Sequence, residues 1–254
     1  MSPRRNAYFA FALAFGTHSA SAQAVYSLSI TYDVGTKKEL ARVTDQEISK
    51  RKTQTLTEQD PLESKSRKFT GASLSELVNE KISTLSAAER ANLDLVVLKS
   101  RSGKEVLMPR AFLQKYNSIL VAYKEDGKEI ETAQNPKVIL PASSNSKIKK
   151  EGVILETLFL SGLESITLSS YQSRYGKMVL KRRTDPAAMR GEKLFLQNCA
   201  GCHANSTNLK VQALESSGHP KVVGVKSLSD KLDSKQVRSL VSYLEAYKSQ
   251  STAQ

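Results

Sequence analysis

The only two cysteines of the 254-residue chain lie three positions apart and directly precede a histidine, in Cys199-Ala200-Gly201-Cys202-His203. C-x-x-C-H is the attachment pattern of a c-type haem, because the thiols form thioethers with its vinyl groups and the adjacent imidazole binds iron. A thioredoxin-like dithiol and a local disulfide also use C-x-x-C. The histidine favours haem, and no strand-helix-strand pattern leads into the motif. We predict one covalent haem c on Cys199 and Cys202, with His203 as the proximal iron ligand.

The second axial ligand is harder to assign, because the chain has no methionine after the motif. His219 follows His203 by sixteen positions and is the only other histidine beyond the predicted signal peptide. Pro220 comes next and stiffens the backbone there. We predict His219 as the candidate distal iron ligand, with Lys226, Met108 and an open sixth site as alternatives.

Two predicted helices position the motif. Asp185 and Pro186 have the residue types of an N-cap and a first helical position, and an apolar pattern then runs to the cysteines through Met189, Leu194 and Phe195. Ser234 is a possible cap for a last helix. The apolar residues of that helix follow i, i+3, i+4, i+7: Val237, Leu240, Val241 and Leu244.

Residues 185 to 248 resemble the cytochrome c family. Gly191 and Phe195 match the small and aromatic residues of its N-terminal helix, and Leu240 and Tyr243 match their partners on its C-terminal helix. The resemblance implies an all-α cytochrome c domain with an electron-transfer role, placed here at residues 183–254. The family normally supplies a methionine in the loop before the last helix, and this sequence departs from that pattern.

The first residues are typical of a secretory signal peptide. Arg4 and Arg5 precede an apolar run at 7–15, and Ala20-Ser21-Ala22 supplies a small-x-small cleavage pattern. We predict a signal peptide at 1–22 and a periplasmic mature protein. No other stretch approaches the roughly 20 apolar residues of a transmembrane helix, so we expect no integral membrane segment in the mature chain.

The composition is strongly basic, with 38 Lys and Arg against 25 Asp and Glu and a formal net charge of +13. Removing the two signal-peptide arginines leaves +11. A surplus of this size steers a protein toward acidic surfaces, so we expect a redox partner protein with an acidic docking surface. Nucleic acid is a poor candidate, because an exported chain rarely meets it and acidic residues are interspersed. With both cysteines assigned to haem, no disulfide framework is available.

Residues 23–182 have the pattern of a β-rich α+β domain. Apolar residues alternate strictly from Tyr26 to Tyr32, as in a half-buried strand. Capping boxes at Thr44-x-x-Glu47 and Ser73-x-x-Glu76 mark two helix starts. Strand-like runs follow at 95–98, 105–108, 119–123, 138–140 and 165–168, with turns at Ser102-Gly103 and Asp126-Gly127.

The order of these segments is similar to the sulfite-oxidase-type molybdopterin-binding domain. The matching pieces are short: the segment 69–77, the strand pair around 102–104, the strand 120–123 before Asp126-Gly127, the segment 135–141 and residues 164–166. That family holds its metal with a cysteine thiolate, and this chain has no cysteine to spare. The domain also has no histidine and the chain no tryptophan. We therefore expect a shortened relative without molybdopterin; an unrelated β-rich adaptor is the alternative.

Together these features predict an exported mono-haem c-type cytochrome that transfers electrons between redox partners. Its β-rich domain would act as a scaffold or docking module, and the chain would not itself be an enzyme. One alternative is a haem and molybdopterin oxidoreductase subunit. Another is a haem sensor or peroxidase-like protein with an open iron site.

Overall fold

A computed structural model describes residues 26–60, 65–152, 154, 158–181, 184–203 and 232–252. The strands are β1 (Ser27–Val34), β2 (Thr36–Thr44), β3 (Thr53–Gln59), β4 (Ser66–Ser73), β5 (Leu95–Ser100), β6 (Glu105–Pro109), β7 (Leu120–Glu125), β8 (Lys128–Glu129), β9 (Lys137–Ile139) and β10 (Leu163–Ser169). The helices are α1 (Asp45–Ser49), α2 (Leu74–Ser83), α3 (Ala87–Ala91), α4 (Arg110–Lys115), α5 (Lys147–Lys150), α6 (Tyr171–Tyr175), α7 (Pro186–Asn198), α8 (Ala200–His203) and α9 (Ser234–Thr252), and a 3-10 turn covers Gly176–Met178.

The strands form two sheets. The first has the order β2-β1-β10-β5-β6, and the second has the order β3-β4-β7-β8, with β9 also paired to β7. β1 runs parallel to β10, so the first and the last strand of the chain lie side by side. β5 and β6 then form the edge of the first sheet that is nearest to the C-terminal helices.

Several local predictions are confirmed. The alternating residues Leu28, Ile30 and Tyr32 of β1 point into the main core and are at most 5% exposed. The capping box at Thr44 and Glu47 begins α1, with both reciprocal hydrogen bonds present. At α2 only half of the predicted box forms: the Ser73 hydroxyl accepts from the Glu76 N–H and itself donates to a backbone carbonyl, 2.8 Å away. Short-range signals of this kind depend on neighbouring residues only.

The strand pair β5–β6 is apolar on both faces. Val96 and Leu98 belong to the main core, which contains α2 and α4 as well as residues of both sheets. Leu95 and Val97, which alternate with them, belong to a second core together with Leu107 of β6 and the helices α7 and α9. The four residues from 95 to 98 are therefore all buried. A continuous apolar run is typical of a strand that is covered on both sides.

The prediction of a separate all-α cytochrome domain is wrong. The chain is a mixed α/β protein with two sheets, and in the described residues 184–203 and 232–252 one pair of long helices, α7 and α9, stands against the first sheet with the short α8. The physical reason is the shared second core, because Leu95, Val97 and Leu107 bury their side chains against this pair. The helices thus cover a sheet face instead of enclosing an all-α core of their own.

The predicted signal peptide, residues 1–22, lies outside the described residues. Among the helices that the structure does describe, none has the length and apolar character needed to cross a bilayer.

Candidate functional site

The cysteine-histidine segment forms a continuation of α7. Asp185 begins that helix, with its carboxylate accepting from the backbone N–H groups of Ala187 and Ala188 at 2.8 and 3.2 Å. Cys199 ends it and donates its N–H to the Phe195 carbonyl at 2.8 Å. The helical turn α8 follows at once. The sequence prediction that a single helix delivers the cysteines is confirmed up to this C-cap.

The backbone of the turn gives the three candidate haem residues a helical spacing. The His203 N–H donates to the Cys199 carbonyl at 3.0 Å, so Cys199, Cys202 and His203 stand at helical positions i, i+3 and i+4. Residues with this spacing face the same way. Cys199 and His203 are half-buried, whereas Ala200 between the cysteines is fully buried in the second core. Two cysteines and a histidine are the residue types that a covalent haem requires, and their backbone positions have helical spacing, so these residues fit the group.

The same turn lies against the edge of the first sheet. A Cβ atom on Gly201 would stand 3.7 Å from the Glu105 carbonyl oxygen and 3.7 Å from Leu107, which is ordinary contact. Glu105 in turn forms an ion pair with Arg174 of α6, in which both carboxylate oxygens accept from the same Arg174 nitrogen, Nη2, at 2.9 and 3.0 Å. Hydrogen bonds between two ionised groups are stronger than those between neutral groups. The turn therefore lies against the first residues of β6, where Glu105 is paired with Arg174.

Asn198, directly before the first cysteine, is a positioning residue that sequence reasoning missed. Its Nδ2 donates to the carbonyls of Gly152 and Leu194, both at 2.9 Å, and its Oδ1 accepts from the Ile154 N–H at 3.1 Å. Gly152 has φ +70°, and a Cβ there would meet Leu194 at 2.4 Å. The backbones of Gly152 and Ile154 are thus tied to the C-terminal end of α7. No local pattern indicates partners 44 and 46 positions away.

α7 and α9 are in contact through residues that the family resemblance paired, Phe195 and Tyr243 among them. A Cβ on Gly191 would lie 1.9 Å from the Ser239 carbonyl oxygen, so the two backbones touch there. The Phe195 and Tyr243 rings are 5.1 Å apart. Burial raises the pKa of Tyr243, whose hydroxyl donates to the Met178 carbonyl at 2.8 Å. The close backbone contact at Gly191 brings α7 and α9 together on the N-terminal side of the cysteine-histidine segment.

The start of α9 differs slightly from the prediction. Asp233, not Ser234, caps this helix: its carboxylate accepts from the Gln236 N–H and its own N–H donates to the Gln236 side chain, both at 2.8 Å. This is a capping box with Asp and Gln in place of Ser and Glu. Met189, predicted as part of the apolar face of α7, is 41% exposed.

Three candidates for the sixth iron position have different outcomes. His219 and Lys226 lie outside the described residues. Met108 is fully buried in the main core, on the face of β6 opposite to Leu107. Because Leu107 is the residue that faces the helices, the Met108 sulfur lies on the wrong side of the sheet to reach a group bound at α8.

Comparison with solved structures finds weak similarity. Sulfane dehydrogenase SoxCD from Paracoccus pantotrophus matches with a TM-score of 0.39 and 12% sequence identity, over 59% of this chain. The match spans 40% of the length of that enzyme chain. No family model and no curated protein matches the chain.

Proposed function

We propose that this protein carries one haem, attached through Cys199 and Cys202 with His203 on the iron, and passes single electrons between partner proteins. The observation that supports the proposal most directly is the helical turn with these residues at i, i+3 and i+4. A bound haem supplies a one-electron iron couple. We propose that the chain is exported to the periplasm and does not itself catalyse a substrate reaction.

The residues around the turn would hold the ligand geometry constant. Ala200 anchors the turn in the second core, Asn198 fixes its N-terminal side, and Gly201 rests near β6. A proximal imidazole on such a turn moves little when the charge on the iron changes, and a ligand that stays in place lowers the rearrangement needed for each electron transfer. The sheet would then act as a support for the redox site.

The partner would present an acidic docking surface, because the chain carries a formal net charge of +13, or +11 without the two arginines of the predicted signal peptide. Oppositely charged surfaces accelerate encounter, and salt screens this attraction over about 8 Å at physiological ionic strength.

A redox titration with parallel metal analysis tests the proposed function. Purified exported protein is expected to take up and release one electron per chain reversibly, with a haem absorption spectrum. Iron should be near one per chain and molybdenum near zero, since no cysteine remains to hold molybdenum. Stoichiometric molybdenum would favour the oxidoreductase-subunit alternative. A spectrum that responds readily to carbon monoxide would favour the sensor or peroxidase alternative, and absence of haem would end the proposal.

Variants of His219 test the distal ligand. If its imidazole binds the iron, His219→Met is expected to raise the midpoint potential and to create the weak red charge-transfer band of sulfur ligation, because a thioether favours reduced iron more than an imidazole does. His219→Ala is expected to open the iron to carbon monoxide. Optical titration of both variants beside the wild type gives the answer. An unchanged spectrum and potential in His219→Ala would assign the sixth site to Lys226 or to water.

A further inference from the structure

An open cleft of about 530 Å³ lies between the C-terminal helix α7 and the first sheet. Its walls come from three places: the ends of β5 and β6, the segment from α6 to residue 181, and the face of α7 that carries residues 192, 193 and 196. This volume is within the usual range of small-molecule sites. The cleft does not contain any residue of the cysteine-histidine turn.

The acidic and the basic side chains of the cleft differ in whether they already have a hydrogen-bond or ion-pair partner. Its two carboxylates already accept hydrogen bonds from backbone groups: Asp94 from the Tyr171 N–H at 2.8 Å and Glu192 from the Leu180 N–H at 2.5 Å. Its two lysines, Lys181 and Lys193, are exposed, and neither forms an ion pair with a described residue. Glu151 lies near Lys193, but it is hydrogen-bonded to Lys115 and Tyr116, and the Lys115 hydrogen bond is the main reason why the pKa of Glu151 is lowered. Lys181 and Lys193 are therefore the charged groups of the cleft that can still pair with a ligand of opposite charge.

Tyr171 also lines the cleft, and its hydroxyl is a second unsatisfied group. Its oxygen is buried and has no hydrogen-bond partner within the described parts of the chain. Burial raises the pKa of this phenol, so it remains a donor at neutral pH. A buried donor without an acceptor destabilises a protein, and most such groups in native structures find a partner. A ligand oxygen that reached this hydroxyl from the cleft would supply the missing acceptor.

The remaining wall is apolar. Val179, Leu180 and Leu196 line it, and the last two are buried. We infer that the cleft binds a small aliphatic carboxylate, with the carboxylate held by Lys181, Lys193 and the Tyr171 hydroxyl and the alkyl chain against these aliphatic residues. An inorganic oxyanion would leave the apolar wall unused, and an uncharged lipid would leave the lysines unpaired.

Ligand-observed NMR titration of the full-length exported protein with acetate, butyrate and hexanoate tests this inference. Affinity is expected to rise about two- to fourfold with each added methylene. Lys181→Ala combined with Lys193→Ala should weaken hexanoate binding about tenfold, as expected for loss of charge-assisted hydrogen bonds. Tyr171→Phe should weaken it about threefold without lowering the melting temperature, because it removes an unsatisfied polar group. The matched control is Lys52→Ala with Lys235→Ala, which makes the same change in net charge at exposed lysines outside the cleft.

Three results would overturn the inference. The first is absence of saturable hexanoate binding to the wild-type protein at millimolar concentration. The second is an equal loss of affinity in the control double variant, which would indicate a general charge effect. The third is competition by phosphate as strong as by hexanoate, which would indicate a cationic surface without selectivity for an alkyl chain. Haem content does not enter these readouts, so they are independent of the proposed redox function.

Discussion

Cys199→Ser combined with Cys202→Ser is expected to abolish covalent haem completely. Haem held by two thioethers survives denaturing electrophoresis, whereas haem held only by iron ligands is released when the protein unfolds. Wild-type protein, exported in a host that attaches haem, should therefore retain haem staining at the mature mass after boiling. Each single serine variant leaves one thiol and should show weaker staining. The measurement is in-gel haem staining normalised to protein, supported by intact mass.

The matched control is Gly201→Ser, which introduces the same side chain into the same turn. Gly201 is exposed, and atoms added there would make only ordinary contacts at about 3.7 Å. This variant keeps both thiols and is expected to stain fully. Staining that disappears from the wild type on boiling, or that persists in the double variant, would show that the cysteines do not carry haem. The dithiol and disulfide alternatives would then return.

Gly191→Ala is expected to destabilise the protein, although the same change in an isolated helix is stabilising by about 1 kcal/mol. The added methyl group would lie 1.9 Å from the Ser239 carbonyl oxygen and 2.7 Å from the Tyr243 Cβ, so the backbones of α7 and α9 must separate. Overpacking of this kind costs about 1–3 kcal/mol. In a protein of this size each kcal/mol lowers the melting temperature by about 2–4 °C. Gly191→Val should have a larger effect.

Thermal unfolding followed by circular dichroism gives the comparison, with Gly176→Ala as control. A Cβ on Gly176 would meet only the end of the flexible Gln172 side chain, which can move away. The control is expected to stay close to the wild-type melting temperature. If Gly191→Ala matched the control or exceeded the wild type, the close contact between α7 and α9 would not contribute to stability.

Local chemistry was predictable from neighbouring residues. The capping box at Thr44 and the Asp185 cap of α7 form because side chains there bond backbone groups two or three positions away. The spacing of Cys199, Cys202 and His203 likewise fixes their common side once a helical turn forms. The pairing of Gly191 and Phe195 with Leu240 and Tyr243 was implied only by the resemblance to the cytochrome c family, and the Phe195 and Tyr243 rings are in contact. Such features need little knowledge of the rest of the fold.

Tertiary structure decided what the helices pack against. A helix pair with an apolar stripe can be covered by another helix or by a sheet, and its own sequence does not distinguish the two. Here the deciding residues are Leu95, Val97 and Leu107, about 80 to 150 positions away from the residues of α7 and α9 with which their side chains form the second core. The unbroken apolar run of β5 was the available signal that both faces of that strand are buried. The hydrogen bonds of Asn198 to Gly152 and Ile154 depend on the same long-range packing. So does the cleft beside Lys193, because its walls come from distant parts of the chain.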